Sequence, residues 1–482
     1  MHTLKKPESP MSSYRWVICG MLFFATTINY LDRQVLSLTW KDFIVPEFHW
    51  TNNDYGNITA LFSVFYAISM LFAGRLVDWM DTKKGYLLAI GVWSAGACMH
   101  AFCGIATSGI TAGEWFVGFE EARAVIGTIG DIGMVVNVSV LLFIFARLIL
   151  AVGEAGNFPA AIKATAEYFP KKDRAFSTSI FNAGATVGAL AAPVSIPFIA
   201  RLWGWEASFL IIGALGFVWM GFWVFIYRKP GEHPRVNAGE LAYIRQDAGD
   251  QKEEDGPGRR LSFMECLGYK QTWAFALGKF MTDGVWWFFL FWTPAYLSSV
   301  YDMKSSDLSS QVAIFTLYAI TLLSIIGGWL PTYFVDKKGM NPYAGRMKAM
   351  LIFAFFPLLA LLAQPLGSVS YWFPVVIIGI AGAAHQAWSA NIFSTVGDMF
   401  PRSAIATVTG IGGMAGGMSS FIINKSSGVL FDYAGQTEMV FMGFRGEEAG
   451  YFIIFSVCAV AYLIGWCIMK SLVPRYAPIV VS

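Results

Sequence analysis

The chain has 482 residues, a net charge of +2 and a mean hydropathy of +0.54; 56% of its residues are hydrophobic and 14% are charged. Soluble domains carry about 25% charged residues, so this composition excludes a protein with an ordinary water-exposed surface. The small net charge does not indicate a nucleic-acid partner. The six cysteines show no metal-ligand spacing, and we expect neither a metal nor a cofactor.

Long apolar stretches, bounded by glycine, proline and charged residues, recur along the whole sequence. A helix that crosses the bilayer core needs about 20 mostly apolar residues. The sequence therefore predicts twelve transmembrane helices, which begin near Arg15, Tyr55, Tyr86, Met134, Ala175, Trp205, Thr272, Gln311, Met347, Tyr371, Ala404 and Gly450. The strand alternation of a membrane barrel is absent from the sequence, so the predicted fold class is an all-α polytopic membrane protein.

Basic residues are concentrated in alternate connections between the predicted helices. Cytoplasmic loops of membrane proteins carry the excess of lysine and arginine. The basic connections contain Lys83, Lys84, Lys171, Lys172, Arg174, Lys337, Lys338, Arg346, Lys348 and Arg402. The intervening connections are mostly acidic, and this asymmetry predicts that both termini are cytoplasmic.

A long charged stretch separates the sixth and seventh predicted helices. It divides the chain into an N-terminal six-helix bundle (1–228), a cytoplasmic linker (229–269) and a C-terminal six-helix bundle (270–482). This is the layout of a transporter built from repeated bundles. A second long connection, 107–133, is predicted on the outer side as a partly amphipathic segment, to which the sequence assigns no role.

Four charged residues fall inside predicted spans of the N-terminal half, where charges are costly and mark functional candidates. Asp32 and Arg33 lie in the first span, and Arg147 and Glu154 lie seven residues apart in the fourth. Two turns of helix place Arg147 and Glu154 on one face, about 10 Å apart along the axis. Arginine binds both oxygens of a carboxylate, and a buried acid can carry a proton. The alternative is that these charges form salt bridges that only hold helices together.

The predicted spans of the C-terminal half carry a different set of polar residues. Lys279 and Asp283, one turn apart in span seven, are interpreted as a structural ion pair. Span ten contains a cluster that offers neutral donors and acceptors and an aromatic face, which suit a hydroxylated ring. The cluster consists of His385, Gln386, Trp388 and Asn391. Ordinary hydrogen-bonded packing is the alternative role for His385.

Several segments resemble a known family. The loop GRLVDWMDTKK (Gly74 to Lys84) resembles the signature loop of the major facilitator superfamily, although Trp79 and Asp81 replace its usual arginine and glycine. RLILAVGEAGNFPAAIK and EYFPKKDRA resemble the anion:cation symporter family. Within it, GNFPAAIKATAEYFPKK and AHQAWSAN are similar to the hexuronate transporters, which carry glucuronate and galacturonate. The resemblance covers nearly all of the chain except 107–133.

The resemblance implies a role for individual residues. Arg33 would bind the substrate carboxylate, Asp32 and Glu154 would be protonated during symport, and Arg147 would respond to Asp32. Further substrate contacts are implied at Tyr30, Tyr66, Asn182, Trp388 and Asn391. His385 and Gln386 are added from their chemistry alone. By resemblance, the N-terminal half carries both anion binding and proton coupling.

We therefore expect a proton-coupled symporter that imports a hexuronate across a bacterial inner membrane, working as a monomer by alternating access. Another organic anion, such as an aldonate, an aldarate or an aromatic acid, is an alternative cargo, and exchange is an alternative to symport. The absence of a phosphate-binding G-x-x-x-x-G-K-[ST] motif from the sequence argues against ATP hydrolysis as the energy source. The five histidines are scattered and form no cluster, which argues against an enzyme. A linker of about 40 polar residues is too short for the output domain of a sensor. Two buried arginines argue against efflux of lipophilic cations.

Overall fold

The computed structural model describes residues 11–246, 261–400 and 402–479, and these fold almost entirely into helices. The first described range begins with the long helix α1, and a π-helical turn, Trp40–Ile44, joins it to α2. The helices of this range are α1 (Tyr14–Thr39), α2 (Val45–Phe48), α3 (Asn52–Met80), α4 (Thr82–Ala101), α5 (Cys103–Ala112), α6 (Phe119–Thr128), α7 (Ile132–Glu154), α8 (Asn157–Tyr168), α9 (Lys171–Trp203), α10 (Trp205–Ile226) and α11 (Ala238–Ile244).

The remaining described ranges contain further helices and one small hairpin. Short 3-10 segments at Leu322–Ile325 and Phe356–Leu362 interrupt two of the long helical runs. The elements are α12 (Phe263–Leu267), α13 (Lys270–Tyr301), α14 (Leu308–Thr321), α15 (Ile326–Lys338), α16 (Pro342–Phe355), α17 (Ala363–Gly367), α18 (Trp372–Met399), α19 (Arg402–Gln436), β1 (Val440–Phe441), β2 (Phe444–Arg445) and α20 (Glu447–Leu472).

Many of these helices have the length and apolar composition of membrane spans. Within the described residues, eight helical segments meet both criteria, and a ninth does so if α4 and α5, which meet at a bend of 53°, form one span. Helix α1 is not among them, because buried polar residues such as Asp32 and Arg33 lower its hydropathy. The chain is thus a multi-pass membrane protein, while the predicted number of twelve remains a prediction.

The helices before and after the linker pack against each other through α3 and α19, the most extensive helix pairing in the described chain. We call the end of the molecule near Tyr14, where α11 packs, the linker face, and the end near Asn52 the opposite face. Helices α1 and α13 also meet at the interface between the halves. A site between α1, α3, α7 and α13 is therefore built from both halves of the chain.

At the opposite face, a carboxylate and a lysine of the second half form hydrogen bonds to the first half. The backbone N–H groups of Asn52 and Asn53, at the start of α3, donate to the two carboxylate oxygens of Asp432 on α19 (2.9 and 2.6 Å). The Nζ atom of Lys425 donates to the side-chain oxygens of Asn53 and Asn57 (2.6 and 2.5 Å). A carboxylate at a helix N-terminus satisfies free N–H groups and complements the helix dipole.

A second carboxylate makes the reciprocal contact, from the first half to the second. Asp42, in the π-helical turn, accepts from the hydroxyl of Ser298 (2.7 Å) and from the backbone N–H of Ser305 (2.5 Å). At the linker face, by contrast, the ion pair of Arg346 and Asp398 stays within the second half. The side-chain amide of Asn52 also donates to Glu447 of the second half (3.1 Å). Carboxylates of both halves thus bind the other half at the opposite face.

The linker packs against the first half, because its helix α11 caps the N-terminus of α1. The fully buried carboxylate of Glu240 accepts from the backbone N–H groups of Tyr14 and Arg15, both at 3.0 Å. It also pairs with the Arg15 guanidinium at 3.1 Å. His233 packs on Tyr14 with the ring centroids 4.0 Å apart. This cap fixes the linker-face end of α1, the helix that carries the first two candidate charges.

The connection predicted at 107–133 contains the end of α5 and the whole of α6. Arg123 of α6 bridges two buried carboxylates: its Nε donates to Glu47 (3.2 Å) and its Nη2 to Glu206 (2.8 Å). The indole N–H of Trp205 also donates to Glu47 at 2.8 Å. The segment therefore ties α2 to the start of α10, close to the turn that holds Asp42.

We expect Arg123→Met to lower the melting temperature, and to lower it more at pH 8 than at pH 5. Burial raises the pKa of Glu47 from 4.5 to about 6, against the opposing effects of Trp205 and Arg123. Because this pKa is raised, Glu47 makes folding less favourable as pH rises from 4.5 to about 6. Without Arg123 the ionised carboxylate lacks its cation, a loss of about 1–2 kcal/mol at the higher pH.

Thermal unfolding in detergent at the two pH values measures the effect. Arg445→Met is the matched control, since Arg445 pairs with Glu438 on an exposed turn, where an ion pair contributes little. An equal shift in the two variants, or a shift for Arg123→Met that is independent of pH, would contradict the bridging role of Arg123.

Candidate functional site

Helix α1 carries the first pair of candidate charges and packs closely along α9. A Cβ atom at Gly188 of α9 would lie 2.5 Å from the carbonyl oxygen of Thr27 and 2.9 Å from the Cβ atom of Tyr30. Only glycine therefore permits this approach, which fixes the rotation of α1. With α1 in this orientation, Asp32 and Arg33 are both buried in the interior.

Helix α7 carries the second pair and packs on α4. A Cβ atom at Gly153 would lie 2.2 Å from the backbone nitrogen of Trp93, so the two helices are almost in backbone contact at this level. The next residue is Glu154, at the end of α7, and Arg147 lies two turns before it. Both side chains are buried, as the sequence predicted for a shared face.

The strongest polar contact at the site joins α1 to α7. The Nε and Nη2 atoms of Arg33 both donate to the Oε2 atom of Glu154, at 3.0 and 2.7 Å. The side chains of Arg33 and Glu154 are 4% and 0% exposed, so water does not screen the pair. The other carboxylate oxygen of Glu154 has no hydrogen-bond partner among the described residues. The guanidinium is thus held by one oxygen of one acid.

Three aromatic rings surround the same guanidinium. The Cζ atom of Arg33 lies 5.2 Å from the ring centroid of Tyr30, 4.9 Å from that of Tyr66 and 5.0 Å from that of Trp287. These distances are within the range of cation–π attraction, which favours the charged form of arginine in a dry site. Because Trp287 belongs to α13, the second half of the chain completes the surroundings of Arg33.

Beside this pair lies a group of polar side chains that lack partners in the described chain. Asp32 and Asn29 are both buried, yet neither carboxylate oxygen of Asp32 and neither polar side-chain atom of Asn29 makes a hydrogen bond to any described residue. The Nη1 atom of Arg147 is also unpartnered, and its Cζ atom lies 5.2 Å from the ring centroid of Phe62. Buried polar groups normally have partners. These three residues can therefore accept a polar ligand, water or one another after a movement.

The residues predicted in span ten lie on α18 and are mostly packed within the second half. The Nδ1 atom of His385 is 2.7 Å from the hydroxyl of Tyr462 on α20, and its ring stacks on Trp286 at 5.3 Å. The amide nitrogen of Asn391 donates to the carbonyls of Gly327 (3.0 Å) and Ala387 (2.8 Å). Asn391 therefore uses both amide hydrogens to join backbone segments.

Three other predicted residues have side chains with free or solvent-facing groups. The indole N–H of Trp388 is buried and unpartnered within the described residues, and its ring packs edge-on against Tyr462 at 5.6 Å. Gln386 is half-buried. Asn182 on α9 is exposed and lies two residues before Gly184, a Cβ at which would lie 2.4 Å from the Phe23 carbonyl of α1. Two residues correspond to about 200° around a helix, so Asn182 is on the side of α9 away from α1.

The structure brings together the charged residues that the sequence indicated, and it shows which of them pair. The sequence indicated Arg33 as the substrate cation; in the structure it is bonded to Glu154, 121 positions away. Sequence reasoning did not assign Trp287, Asn29 or Phe62. An asparagine one turn before Arg33 in an apolar helix was a signal that could have identified Asn29, whereas the contact of Trp287 depends on how the halves pack.

Residues 22–423 match the model of the Major Facilitator Superfamily. The chain is 26% identical over 425 residues to a "Hexuronate transporter" of Escherichia coli, with 87% of this chain and 88% of that protein covered. It is also 26% identical to a "Galacturonate transporter" of Dickeya chrysanthemi, with 69% and 86% covered, and 23% identical to a "Probable galactarate/D-glucarate transporter" of Escherichia coli, with 89% and 91% covered.

Solved structures share the architecture at lower sequence identity. A bacterial homologue of the human lysosomal transporter Spinster, in an inward-facing and occupied conformation, has a TM-score of 0.66 and 18% identity, with 95% of this chain and 97% of that chain covered. The D-xylose–proton symporter has a TM-score of 0.63 and 14% identity, with 97% and 98% covered. With a family model that matches most of its length and this fold, the chain belongs to the Major Facilitator Superfamily and is a transporter, not an enzyme.

Proposed function

We propose that the protein is a proton-coupled carrier that imports a hexuronate anion across a bacterial inner membrane. The observation that carries the proposal is the buried pair of Arg33 and Glu154, which is set among aromatic rings. Within the described residues, the nearby Asp32 carboxylate and the Nη1 atom of Arg147 have no hydrogen-bond partner. A guanidinium is the side chain best suited to bind a carboxylate, and here an acid occupies that place. The substrate class is supported by two relatives, one named "Hexuronate transporter" and the other "Galacturonate transporter".

In this proposal the substrate carboxylate and Glu154 compete for the same guanidinium. While Glu154 is ionised it holds Arg33, and a second carboxylate is repelled. Once Glu154 takes up a proton, its attraction for Arg33 falls and the substrate anion replaces it. Asp32 carries a proton in the same cycle, and Arg147 neutralises Asp32 when it is ionised. Binding of the anion and binding of protons therefore favour each other.

Tyr30 and Tyr66 are proposed to position the substrate ring against Arg33, since a tyrosine offers both an aromatic face and a hydroxyl group. On the second half, the indole N–H of Trp388, which has no partner within the described residues, donates to a sugar hydroxyl. Gln386 lies about 200° away around α18, so it is not assigned a contact with the same group. His385 and Asn391 act next to Trp388 by fixing the orientation of α18 through Tyr462 and Gly327. Asn182 is exposed on the side of α9 away from α1, so it is not assigned a substrate contact in this proposal.

The carrier is proposed to have twelve spans in two six-helix bundles (1–228 and 270–482), a cytoplasmic linker (229–269) and both termini in the cytoplasm, and to work as a monomer. In this orientation the linker face is cytoplasmic and the opposite face is external. Asp42 and Asp432 then hold the external gate shut, which supports an inward-facing state. Alternating access requires these contacts to break when the bundles rock.

A sugar diacid is the second candidate substrate, because the chain buries more than one cation. Besides Arg33, the cations Arg147 and Lys279 are buried, and one carboxylate needs only one cation. The relative with 23% identity that is named a "Probable galactarate/D-glucarate transporter" supports this candidate. Hexuronate remains the main proposal because the relatives at 26% identity carry that name or galacturonate.

Arg33→Lys is expected to weaken glucuronate binding by about tenfold or more, although the charge is kept. Lysine is a point charge that cannot form the two parallel hydrogen bonds or stack among three rings. The loss of one charge-assisted hydrogen bond, about 1.5–3 kcal/mol, corresponds to this change in affinity. Isothermal titration of the purified protein measures it, with Arg445→Lys on the exposed hairpin as the matched control. Unchanged affinity in Arg33→Lys would contradict the proposal.

Glu154→Gln is expected to abolish proton-driven accumulation of glucuronate while leaving exchange of labelled for unlabelled substrate. Glutamine mimics the protonated acid, so Arg33 is always available, but no proton is bound or released at this position. Both assays use proteoliposomes, with and without an inward proton gradient, and the exposed Glu448→Gln provides the control. Accumulation at the wild-type level in Glu154→Gln would exclude Glu154 as a coupling group.

A further inference from the structure

Helix α13 contains a second buried ion pair that the proposed mechanism does not use. The Nζ atom of Lys279 lies 2.7 Å from the Oδ2 atom of Asp283, one turn further along the helix, and these side chains are 5% and 16% exposed. The same Nζ atom lies 4.2 Å from the ring centroid of Phe393 on α18. A pair that only joined two turns of one helix would not need to be buried, because burial costs more free energy than the attraction returns.

The position of this pair relates it to Arg33. Lys279, Asp283 and Trp287 are spaced by four residues, so they form one stripe along α13. Trp287, at the end of the stripe, lies 5.0 Å from the Cζ atom of Arg33. Four residues of helix span about 6 Å. Since Lys279 reaches forward along α13 to Asp283, its ammonium group lies about one turn from the level of Trp287, on the side of the linker face.

The two halves of the protein thus present the same combination of groups to the interior. In the first half a buried cation, Arg33, is held by a buried acid, Glu154. In the second half Lys279 is held by Asp283. Each pair is neutral as it stands, and each cation becomes available to an anion only when its acid is protonated or moves away.

Groups that suit hydroxyls lie on α13 beside the stripe and on the helices packed against it. Trp286, adjacent to Trp287, stacks on His385 with the rings almost parallel at 4°. His385 contacts the Tyr462 hydroxyl, which in turn lies 3.4 Å from the backbone carbonyl of Thr282. Rings and neutral hydrogen-bonding groups of this kind match the hydroxylated middle of a sugar chain.

We infer that Lys279 is a specificity-determining residue that binds the second carboxylate of a six-carbon sugar diacid while Arg33 binds the first. Asp283 takes up a proton as it releases Lys279, just as Glu154 does for Arg33. A hexuronate, with one carboxylate, uses Arg33 alone and leaves Lys279 paired with Asp283. This inference rests on the proposed function of the Arg33 site and assigns a residue to the second carboxylate of its second candidate substrate, a sugar diacid such as galactarate.

The test compares galactarate and glucuronate binding to the full-length protein by isothermal titration. Lys279→Met keeps the length of the side chain and removes the charge. We expect it to weaken galactarate binding by about tenfold or more and to change glucuronate binding by less than about twofold. Lys270→Met, at the first position of α13, is the matched control and should change neither affinity.

The possible outcomes separate this inference from the proposed function. If the wild-type protein binds glucuronate but not galactarate, or if Lys279→Met binds galactarate normally, the second subsite is wrong while the Arg33 site stands. If the wild-type protein binds neither acid, the proposed function fails. Equal losses for both acids in Lys279→Met, in a variant that still elutes as a monodisperse protein, would assign Lys279 a general role and contradict the selective one. Asp283→Asn, which mimics the protonated acid, is expected to strengthen galactarate binding selectively; selective weakening would also overturn the inference.

Discussion

The interior of this transporter is organised around one ion pair. The guanidinium of Arg33 donates two hydrogen bonds to a single oxygen of Glu154. Both side chains are almost wholly excluded from solvent. Removing two charges from water is costly, and a pair of this kind persists only if the surrounding structure holds both partners in place. Close glycine-mediated packing of α1 on α9 and of α7 on α4 provides that support.

The surroundings of this pair are built from both halves of the chain. Trp287 of the second half contacts Arg33 of the first, so a rocking movement of the bundles changes the surroundings of the cation. At the opposite face, Asp42 and Asp432 make reciprocal contacts across the interface, and their backbone partners lie at the start of α3 and before α14. The bridge of Arg123 to Glu47 and Glu206 braces the turn that carries Asp42. The opposite-face contacts and the site are thus linked through α1, which carries Arg33 and continues directly into the turn that carries Asp42.

Much of this arrangement could be predicted from the sequence, for a physical reason. Charges inside apolar helices are rare and mark functional candidates, which is why the sequence indicated Asp32, Arg33, Arg147 and Glu154. The predicted helix starts fall a few residues late where helices begin with polar turns, as α3 does at Asn52, just after the cap formed by Thr51.

What could not be predicted is pairing at long range. Seven residues between Arg147 and Glu154 fix a common face of α7, but no spacing indicates that Glu154 meets Arg33 rather than Arg147. The contact of Trp287 with Arg33 likewise requires the packing of α13 against α1. Asn391 looked like a substrate ligand because of its amide group; whether an amide faces a cavity or donates to a backbone carbonyl depends on neighbouring helices, here on Gly327.

The central claim is that substrate and Glu154 exchange places on Arg33, and proton uptake on binding tests it most directly. Titration calorimetry of glucuronate in two buffers of different ionisation enthalpy gives the number of protons taken up per substrate bound. The account predicts net uptake for the wild-type protein near neutral pH, and an uptake smaller by about one proton in Glu154→Gln. Tight binding with the same proton uptake in both proteins would show that the substrate does not displace Glu154, and would contradict the account.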